Sequence, residues 1–450
     1  RAAKTAMPLS GTAASASRRV VVLAGPTAVG KSSLGMRLCE SLPGELISVD
    51  SVQIYRGLHI GANKPSAAER SRVPHHLIDV ADLQDEYTAG CFYRDALTAV
   101  ESVLSRGKTP VLVGGTSMYL RWFVNGRPTA PRADPAVSAA AHEALQGHQA
   151  TGDWDGGLER LRALDPERAM QLSRNDWYRL HRALVVAMQT QTHASSIPAP
   201  DDSDGLDALR ASLDMRCFFL TAPRVPLCRR IDARCGDMLT SGLLDEVTEL
   251  LLSGSLLPSH PAGRAIGYRQ TLDYLLRARY APKDQEAFTN FVHTFAAASR
   301  RYAQQQTKWF RSEPEFEWVP ANWSAPGLAF AAVASGVART RAEHEAALAD
   351  ARQVELRAIK TDEGKQMRTY GEAHDVLKDA QRRTALLASA DACCALLQPV
   401  LDRIAAEDDE IATRYPWHGA GEGGGGNNEA ADEGATGTRV GGRIQAGLSH

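Results

Sequence analysis

Short apolar runs rich in β-branched residues recur along the chain, and amphipathic stretches separate them. Each run has the length and composition of a strand that is buried on both faces of a sheet. Strands are therefore predicted at residues 20–24, 46–50, 77–80, 110–113 and 217–220. The stretches at residues 33–39 and 88–104 carry apolar side chains at helical spacing. Strands that alternate with helices predict an α/β fold in which helices cover both faces of a parallel sheet.

Two stretches depart from this alternation. Strand-like runs are missing from residues 125–212, where apolar residues recur at helical spacing. The chain past residue 325 also has a helical composition. Runs of Gly, Asn and Glu close the chain and predict disorder. The predicted units are a core at 19–124 and 213–325, a helical insertion at 125–212, a helical C-terminal extension at 326–418 and a disordered tail at 419–450.

The sequence Gly25-Pro26-Thr27-Ala28-Val29-Gly30-Lys31-Ser32 stands between the first predicted strand and the first predicted helix. It fits the pattern G-x-x-x-x-G-K-[ST] in the context that a phosphate-binding loop requires. Backbone N–H groups and the helix N-terminus would face one anion, Lys31 would add charge, and the Ser32 hydroxyl could bind magnesium. The motif predicts a P-loop NTPase-like core with a di- or triphosphate socket, and the alternative is a glycine-rich turn without a ligand.

A carboxylate, Asp50, ends the second predicted strand, and Gly114-Gly115-Thr116 ends a later one. Ligands of open α/β sheets collect at the carboxyl ends of the strands, so we expect Asp50 to face the same crevice as Lys31. Asp50 could act as a general base, as a magnesium ligand of the Walker-B type or as a helix cap. Sequence spacing does not separate these three roles.

Several arginines stand where an anion could bind. They are Arg179 with Arg182 in the insertion, Arg229, Arg230 and Arg234 after the last core strand, and Arg264 with Arg269 on either side of Tyr268. Arginine binds phosphate oxygens bidentately, and an aromatic residue among arginines is typical of a surface that contacts an RNA backbone and stacks on a base. The alternatives are surface ion pairs and, for residues 264–270, an ordinary loop-to-helix junction.

Composition narrows the classes of partner and compartment. The formal net charge of -2 gives no overall attraction to nucleic acid, so an RNA would have to be held by local basic patches. The seven cysteines form no C-x-x-C pair, which is typical of reduced thiols inside a cell. No apolar run reaches the ~20 residues that would cross a membrane.

Residues 1–18 are basic and lack acidic residues, which predicts a disordered or transit-like N-terminus. The chain is expected in a plastid or mitochondrion if this segment targets it, and otherwise in the cytoplasm.

Seven motifs in one order resemble the tRNA dimethylallyltransferases, also called tRNA isopentenyltransferases. The motifs are residues 25–32, 47–55, 61–65, 74–76, 112–116, 175–183 and 264–270. The resemblance implies transfer of a dimethylallyl group from dimethylallyl diphosphate to N6 of the adenosine 3′ to the tRNA anticodon (position 37). It further implies that residues 25–32 bind the diphosphate and that Asp50 accepts the N6 proton or orients the amine. Thr27, Lys31, Ser32 and Arg234 are implied to stabilise the leaving group. Magnesium is the implied cofactor, bound by Ser32 together with the diphosphate.

The resemblance also implies which residues meet the tRNA anticodon stem-loop. They are Asp50, Ser51, Val52, Gln53 and Thr116 around the target base, Tyr178, Arg179, Leu180, His181 and Arg182 on the insertion, and Arg264, Ala265, Ile266, Gly267, Tyr268 and Arg269. A single-stranded loop suits such recognition, because its bases can leave their stack and enter a crevice. The expected partners are therefore tRNA and dimethylallyl diphosphate, with no membrane, and the expected oligomeric state is a monomer.

Two departures from the family pattern stand out. Gln304-Gln305-Gln306 replaces the usual Lys-Arg-Gln, which removes two positive charges at the edge of the expected tRNA surface. Eukaryotic relatives often end in a Cys₂His₂ zinc finger, whereas the extension here has the adjacent Cys393 and Cys394 without that spacing, so we expect no zinc.

Other functions would use parts of the same motif set. An adenylate isopentenyltransferase acting on AMP, ADP or ATP would share the phosphate loop and Asp50 but would need less of the helical insertion. A P-loop small-molecule kinase would need a phosphoryl-acceptor site, and an RNA-binding module without activity would not need intact Lys31, Ser32 and Asp50. The insertion with Arg179 and Arg182 favours tRNA as the acceptor.

Overall fold

A six-stranded parallel sheet forms the centre of the molecule, with strand order β3-β2-β4-β1-β5-β6. The computed structural model describes residues 18–127, 134–190, 205–278, 285–357 and 375–400, together with Met367 and Tyr370. The strands are β1 (Arg19–Ala24), β2 (Gly44–Val49), β3 (His75–His76), β4 (Thr109–Gly114), β5 (Asp214–Thr221) and β6 (Glu317–Pro320). The predicted α/β class and the strands around residues 20, 46, 110 and 217 are confirmed.

The strand predicted at residues 77–80 is wrong. Only His75–His76 pairs with β2, and the chain leaves the sheet directly afterwards. Leu77 and Asp79 have backbone φ angles of 59° and 60°, which a strand does not allow. The apolar character of Leu77 and Ile78 reflects burial in a loop, since both side chains are at most 9% exposed.

Helices cover both faces of the sheet, because alternate residues of each strand face opposite sides. They are α1 (Lys31–Ser41), α2 (Ala67–Arg72), α3 (Ala89–Ser105), α4 (Ser117–Asn125), α5 (Pro135–Thr151), α6 (Trp154–Arg162), α7 (Pro166–Met170), α8 (Trp177–Thr190), α9 (Leu206–Ala211), α10 (Arg224–Thr240), α11 (Leu243–Leu252), α12 (Tyr268–Ala278), α13 (Gln285–Phe310), α14 (Pro326–Ala338), α15 (Arg341–Leu348), α16 (Ala351–Arg357), α17 (Asp375–Lys378) and α18 (Ala380–Leu397). On β1, Val21 and Leu23 join the core that includes α1 and α10–α13, whereas Val20 and Val22 join the core with α3 and α4.

Helices α5–α8 of the insertion have a hydrophobic core of their own. Ala141, Leu161 and Leu184 are buried within it, and the indole rings of Trp154 and Trp177 meet edge to face with 5.2 Å between their centroids. This core is separate from the two cores on either side of the sheet. The helical character predicted for this stretch is therefore confirmed, while its division into a separate domain stays a prediction.

The C-terminal extension is helical in its described parts and packs back on the core. Helix α14 contacts α1 and β6, and α18 contacts α11 and α12. The predicted N-terminal tail up to residue 17, the stretch at 401–418 and the tail at 419–450 lie outside the described residues. Among the helices that the structure describes, none is both long enough and apolar enough to span a membrane.

The carboxyl ends of β1, β2 and β4 meet at one glycine. Gly114 pairs with Ala24 on one side and with Val49 on the other. A Cβ atom at Gly114 would lie 1.9 Å from the Val49 carbonyl oxygen, so the backbones can approach this closely only because the residue is glycine. The loops that follow the three strands are thereby brought together at the edge of the sheet where ligands collect.

Candidate active site

The phosphate loop has the wrapped backbone that its sequence predicts. Gly30 has a φ of 107° and Ala28 a φ of 63°, and helix α1 begins directly afterwards at Lys31. A Cβ atom at Gly25 would lie 2.9 Å from the Leu220 carbonyl oxygen on β5, so a larger residue would displace the loop. The first N–H groups of α1 therefore face the crevice at the strand ends, where the partial positive charge of the helix N-terminus favours an anion.

Arg234 reaches the phosphate loop from α10 and contacts Thr27. Its Nη1 donates to the Thr27 hydroxyl oxygen at 3.0 Å. Lys31 lies beside this pair, and its Nζ donates to the Pro26 carbonyl oxygen at 2.7 Å. These contacts bring together three of the residues that the sequence predicts to stabilise a leaving group. Two cations and a hydroxyl thus converge on the space in front of the loop.

Asp50 stands at the end of β2 with one oxygen fixed by the backbone. Its Oδ1 accepts from the N–H groups of Val52 at 2.9 Å and Gln53 at 3.3 Å, so the carboxylate caps the following turn. The Ser51 N–H donates to the Thr116 hydroxyl oxygen at 3.1 Å, which ties this turn to the loop after β4. Oδ2 of Asp50 accepts no hydrogen bond from the described residues. Oδ1 therefore caps the turn, and Oδ2 is left available for the predicted general-base role.

Burial and neighbouring charges set the protonation of the site. Burial, with a further contribution from the positive charge of Arg234, lowers the pKa of Lys31 to about 7, and the negative charge of Asp50 offsets only part of that shift. Burial and the same carboxylate raise the pKa of Tyr302. Lys31 therefore exchanges its proton near neutral pH in the ligand-free protein.

We expect diphosphate binding to take up a proton at about pH 8. Lys31 is mostly neutral there because its pKa is about 7, and a bound anion favours the ammonium form and raises that pKa. The affinity of the protein for diphosphate should therefore fall as the pH rises above 7. Titration calorimetry in buffers of different ionisation enthalpy should give an uptake of up to about one proton per diphosphate. Little uptake is expected near pH 5, where Lys31 is already charged, and equal values at both pH values would contradict the prediction.

Gln306 on α13 links the two loops, and sequence analysis missed this role. Its Oε1 accepts from the Thr27 N–H at 2.9 Å, and its Nε2 donates to the Gly115 carbonyl oxygen at 2.9 Å. The side chain is 3% exposed, and a Cβ atom at Gly115 would lie 2.2 Å from its Nε2. Sequence analysis treated Gln304-Gln305-Gln306 only as a loss of charge. The helical spacing within α13, which alternates buried and exposed positions, is the one signal that could have separated Gln306 from its neighbours.

The side chain of Gln53 connects β2 to the loop at residues 62–63. The Ser48 hydroxyl donates to Oε1 of Gln53 at 2.8 Å, and Nε2 of Gln53 donates to the carbonyl oxygens of Ala62 at 3.2 Å and Asn63 at 3.1 Å. Both ends of this amide are thus used within the protein. Its predicted contact with the target base stays a prediction, and its observed role is to fix the loop that follows Asp50.

Two residues predicted to meet tRNA have buried side chains, and their contact with tRNA stays a prediction. Tyr268 is 0% exposed; its hydroxyl donates to Oε1 of Glu246 at 2.6 Å and accepts from the Ala62 N–H at 3.1 Å, so its ring is not available to stack on a base. Leu180 is also 0% exposed and belongs to the core of the insertion. His181 is half-buried, and its Nε2 lies 3.1 Å from the Ser138 carbonyl oxygen.

Other predicted tRNA residues lie on the surface. Tyr178 is 81% exposed, and Arg179, Arg264 and Arg269 are exposed as well. Nη1 of Arg179 donates to Oδ2 of Asp176 at 2.8 Å, so this arginine already has an acidic neighbour. Arg182, Ala265 and Ile266 are half-buried and Gly267 is buried. The exposed members of the set are those that can contact an RNA without rearrangement.

The residues around the phosphate loop fit a magnesium ion that arrives with a diphosphate. Ser32 is exposed in the first turn of α1, and its hydroxyl makes no hydrogen bond to the described residues. No three His, Cys, Asp or Glu side chains among the described residues are grouped as a metal site. Magnesium commonly takes one or two protein ligands and completes its shell with phosphate oxygens and water, which a lone serine and a diphosphate can supply.

Three comparisons agree with this geometry. The family model described as IPP transferase matches residues 53–313. The chain is 42% identical over 345 residues to tRNA dimethylallyltransferase 9 of Arabidopsis thaliana, covering 70% of this chain and 74% of that one. It is 36% identical over 315 residues to tRNA dimethylallyltransferase of Protochlamydia amoebophila, covering 70% and 87%. A crystallographic structure of a eukaryotic dimethylallyltransferase acting on tRNA is similar with a TM-score of 0.55 and 27% identity, covering 69% of this chain and 75% of that one.

Proposed function

This chain belongs to the IPP transferase family, and we propose that it transfers the dimethylallyl group of dimethylallyl diphosphate to N6 of adenosine 37 in tRNA. The observation that carries the proposal is the position of Asp50 near the phosphate loop. This loop contains Thr27 and Lys31, and Arg234 contacts it from α10. A cationic socket and a carboxylate with one free oxygen are what a diphosphate leaving group and an amine nucleophile require.

The reaction breaks one bond and forms one bond at C1 of the dimethylallyl group. The C1–O bond breaks, its electron pair leaves with the diphosphate, and the N6 lone pair of adenine forms the new C–N bond. Arg234, Lys31 and the N–H groups at the start of α1 are placed to stabilise the charge that develops on the diphosphate oxygens. When bound, magnesium would neutralise part of that charge through the Ser32 hydroxyl and the diphosphate.

We infer that Asp50 takes the N6 proton. Its Oδ1 is fixed by the Val52 and Gln53 N–H groups, and its Oδ2 accepts no hydrogen bond from the described residues. The exocyclic amine of adenine is a poor nucleophile, so removal of its proton as the C–N bond forms lowers the barrier. The adenine must leave its stack to reach this point, where the Thr116 hydroxyl ties the turn after Asp50 to the loop after β4.

Arg264 and Arg269 are proposed to contact phosphates of the anticodon stem-loop. Replacement of both by alanine is expected to flatten the salt dependence of tRNA affinity, because each lost phosphate contact reduces the slope by about 0.7–0.9. Filter binding of tRNA at several salt concentrations measures this slope. The double variant Arg341→Ala, Arg382→Ala removes two exposed arginines of the C-terminal extension as a control. An unchanged slope in the Arg264, Arg269 variant would remove this surface from the proposal.

A single assay tests the acceptor. The protein is incubated with labelled dimethylallyl diphosphate and magnesium, and an anticodon stem-loop with adenosine at position 37, the same stem-loop with guanosine there, and AMP are offered separately. Label is expected in the first stem-loop alone. Label in AMP alone would support an adenylate isopentenyltransferase instead. The monomeric state and the organellar location remain predictions.

A further inference from the structure

The segment after β6 touches the outer side of the phosphate loop through one indole ring. Nε1 of Trp323 donates to the Val29 carbonyl oxygen at 2.9 Å. The side chain of Asn322 accepts from the N–H groups of Ser324 at 3.0 Å and Ala325 at 3.2 Å, and this turn directs Trp323 toward the loop. Trp323 lies outside residues 53–313, the segment that the family model matches, and outside the seven motifs that carry the resemblance.

Arg230 completes the contact from α10. Its guanidinium carbon lies 4.7 Å from the centroid of the Trp323 ring, and its Nε donates to the Ala28 carbonyl oxygen at 3.2 Å. Trp323 and Arg230 together form what we call the loop brace. Two consecutive carbonyl oxygens of the phosphate loop, those of Ala28 and Val29, are thereby each held by a side-chain donor from outside the loop.

The brace acts where the loop backbone is least favourable. Ala28 has a φ of 63°, an uncommon value for a residue with a Cβ atom, and Gly30 has a φ of 107°. The Val29 N–H, which lies between these two carbonyl groups, donates to the Pro26 carbonyl oxygen at 3.4 Å, whereas the N–H groups of Gly30 and Lys31 make no hydrogen bond to the described residues and are available to an anion. A loop held in this form before the ligand arrives loses less conformational entropy when the diphosphate binds.

The same C-terminal segment also rests on the helix that follows the loop. Helix α14 begins shortly after Trp323, and the guanidinium carbon of Arg37 on α1 lies 4.5 Å from the centroid of the Phe330 ring. The segment that runs from Trp323 into α14 therefore contacts both the phosphate loop and the helix that follows it. Trp323 contacts the loop, and Phe330 contacts Arg37 in the middle of α1.

We propose that Trp323 is a positioning residue for diphosphate binding, and that the loop brace couples the C-terminal extension to the affinity of the phosphate loop. The proposal rests on the proposed function, since it takes the loop to bind a diphosphate. Trp323 touches the loop from outside, and it contributes through Ala28, Val29 and Gly30 rather than through contact with the reacting atoms.

The variant Trp323→Phe keeps an aromatic ring beneath Arg230 but removes the donor to Val29. Its dissociation constant for inorganic pyrophosphate with magnesium, measured by calorimetry on the full chain, is expected to rise about five- to tenfold, the loss of one hydrogen bond. The KM for dimethylallyl diphosphate is expected to rise equally while the KM for tRNA stays constant. Arg230→Leu removes the other half of the brace and is expected to have a similar effect.

Trp309→Phe is the matched control, because Trp309 also lies against an arginine, with the guanidinium carbon of Arg121 4.5 Å from its ring, but packs against the core that includes α3 and α4. Pyrophosphate is expected to change tryptophan fluorescence in the wild-type chain and in Trp309→Phe, and not in Trp323→Phe. Unchanged pyrophosphate affinity in both brace variants would overturn the proposal, as would an equal loss in Trp309→Phe. Absence of pyrophosphate binding by the wild-type chain would overturn the proposed function itself.

Discussion

Asp50→Asn is expected to lower the rate of prenyl transfer by ~10²-fold or more. Asparagine retains Oδ1 as an acceptor for the Val52 and Gln53 N–H groups, so the turn should keep its form. Its amide nitrogen takes the place of Oδ2 and cannot accept the N6 proton. Single-turnover transfer to a labelled stem-loop, with both substrates saturating, measures the loss directly and separates it from any change in binding.

The affinity for tRNA and for pyrophosphate should remain within a few-fold of wild type in this variant. Asp82→Asn is a suitable control, because Asp82 is an exposed carboxylate that pairs with Arg56 away from the crevice. A near-normal single-turnover rate in Asp50→Asn would exclude Asp50 as the base. The turn that it caps would then be its whole contribution.

The phosphate loop and Asp50 could be predicted from sequence because their information is local. A glycine-rich motif between a strand and a helix fixes both the loop and its place at the sheet edge. Asp50 follows from the rule that the residues after parallel strands meet at one edge. The register at Gly114, which joins three strand ends, shows why the rule holds in this chain.

The contacts that come from distant parts of the chain could not be predicted in the same way. Gln306 is 279 residues from Thr27 along the sequence, and Trp323 is 294 residues from Val29. Helical spacing can mark Gln306 as a buried position of α13, but no pattern in the sequence shows which loop a buried side chain meets. The fold brings α13 and the segment after β6 to the loop, and only the tertiary structure shows which side chain of each arrives there.

Tyr268 illustrates a second kind of limit. An aromatic residue between arginines fits either a base-stacking residue or an ordinary loop-to-helix junction, and in the structure its hydroxyl and Glu246 form hydrogen bonds to the loop at residues 59–62. Glu246 accepts from the N–H groups of His59 at 2.9 Å and Ile60 at 2.8 Å as well, so this pair satisfies a turn that would otherwise bury unpaired donors. Burial alone distinguishes such a tyrosine from one that meets RNA, and sequence composition does not report it.

Lys31→Ala is expected to lower the affinity for dimethylallyl diphosphate by ~10- to 10²-fold, while the affinity for tRNA stays within about twofold of wild type. The ammonium group lies beside Arg234 in front of the loop, where burial strengthens its attraction to an anion. Calorimetry with inorganic pyrophosphate and with an anticodon stem-loop measures the two affinities separately. Lys308→Ala, which removes an exposed lysine of α13, is the control. Equal loss of affinity for both ligands would contradict a diphosphate socket. Proton uptake on pyrophosphate binding at about pH 8 should also disappear in Lys31→Ala, because the group that titrates is gone.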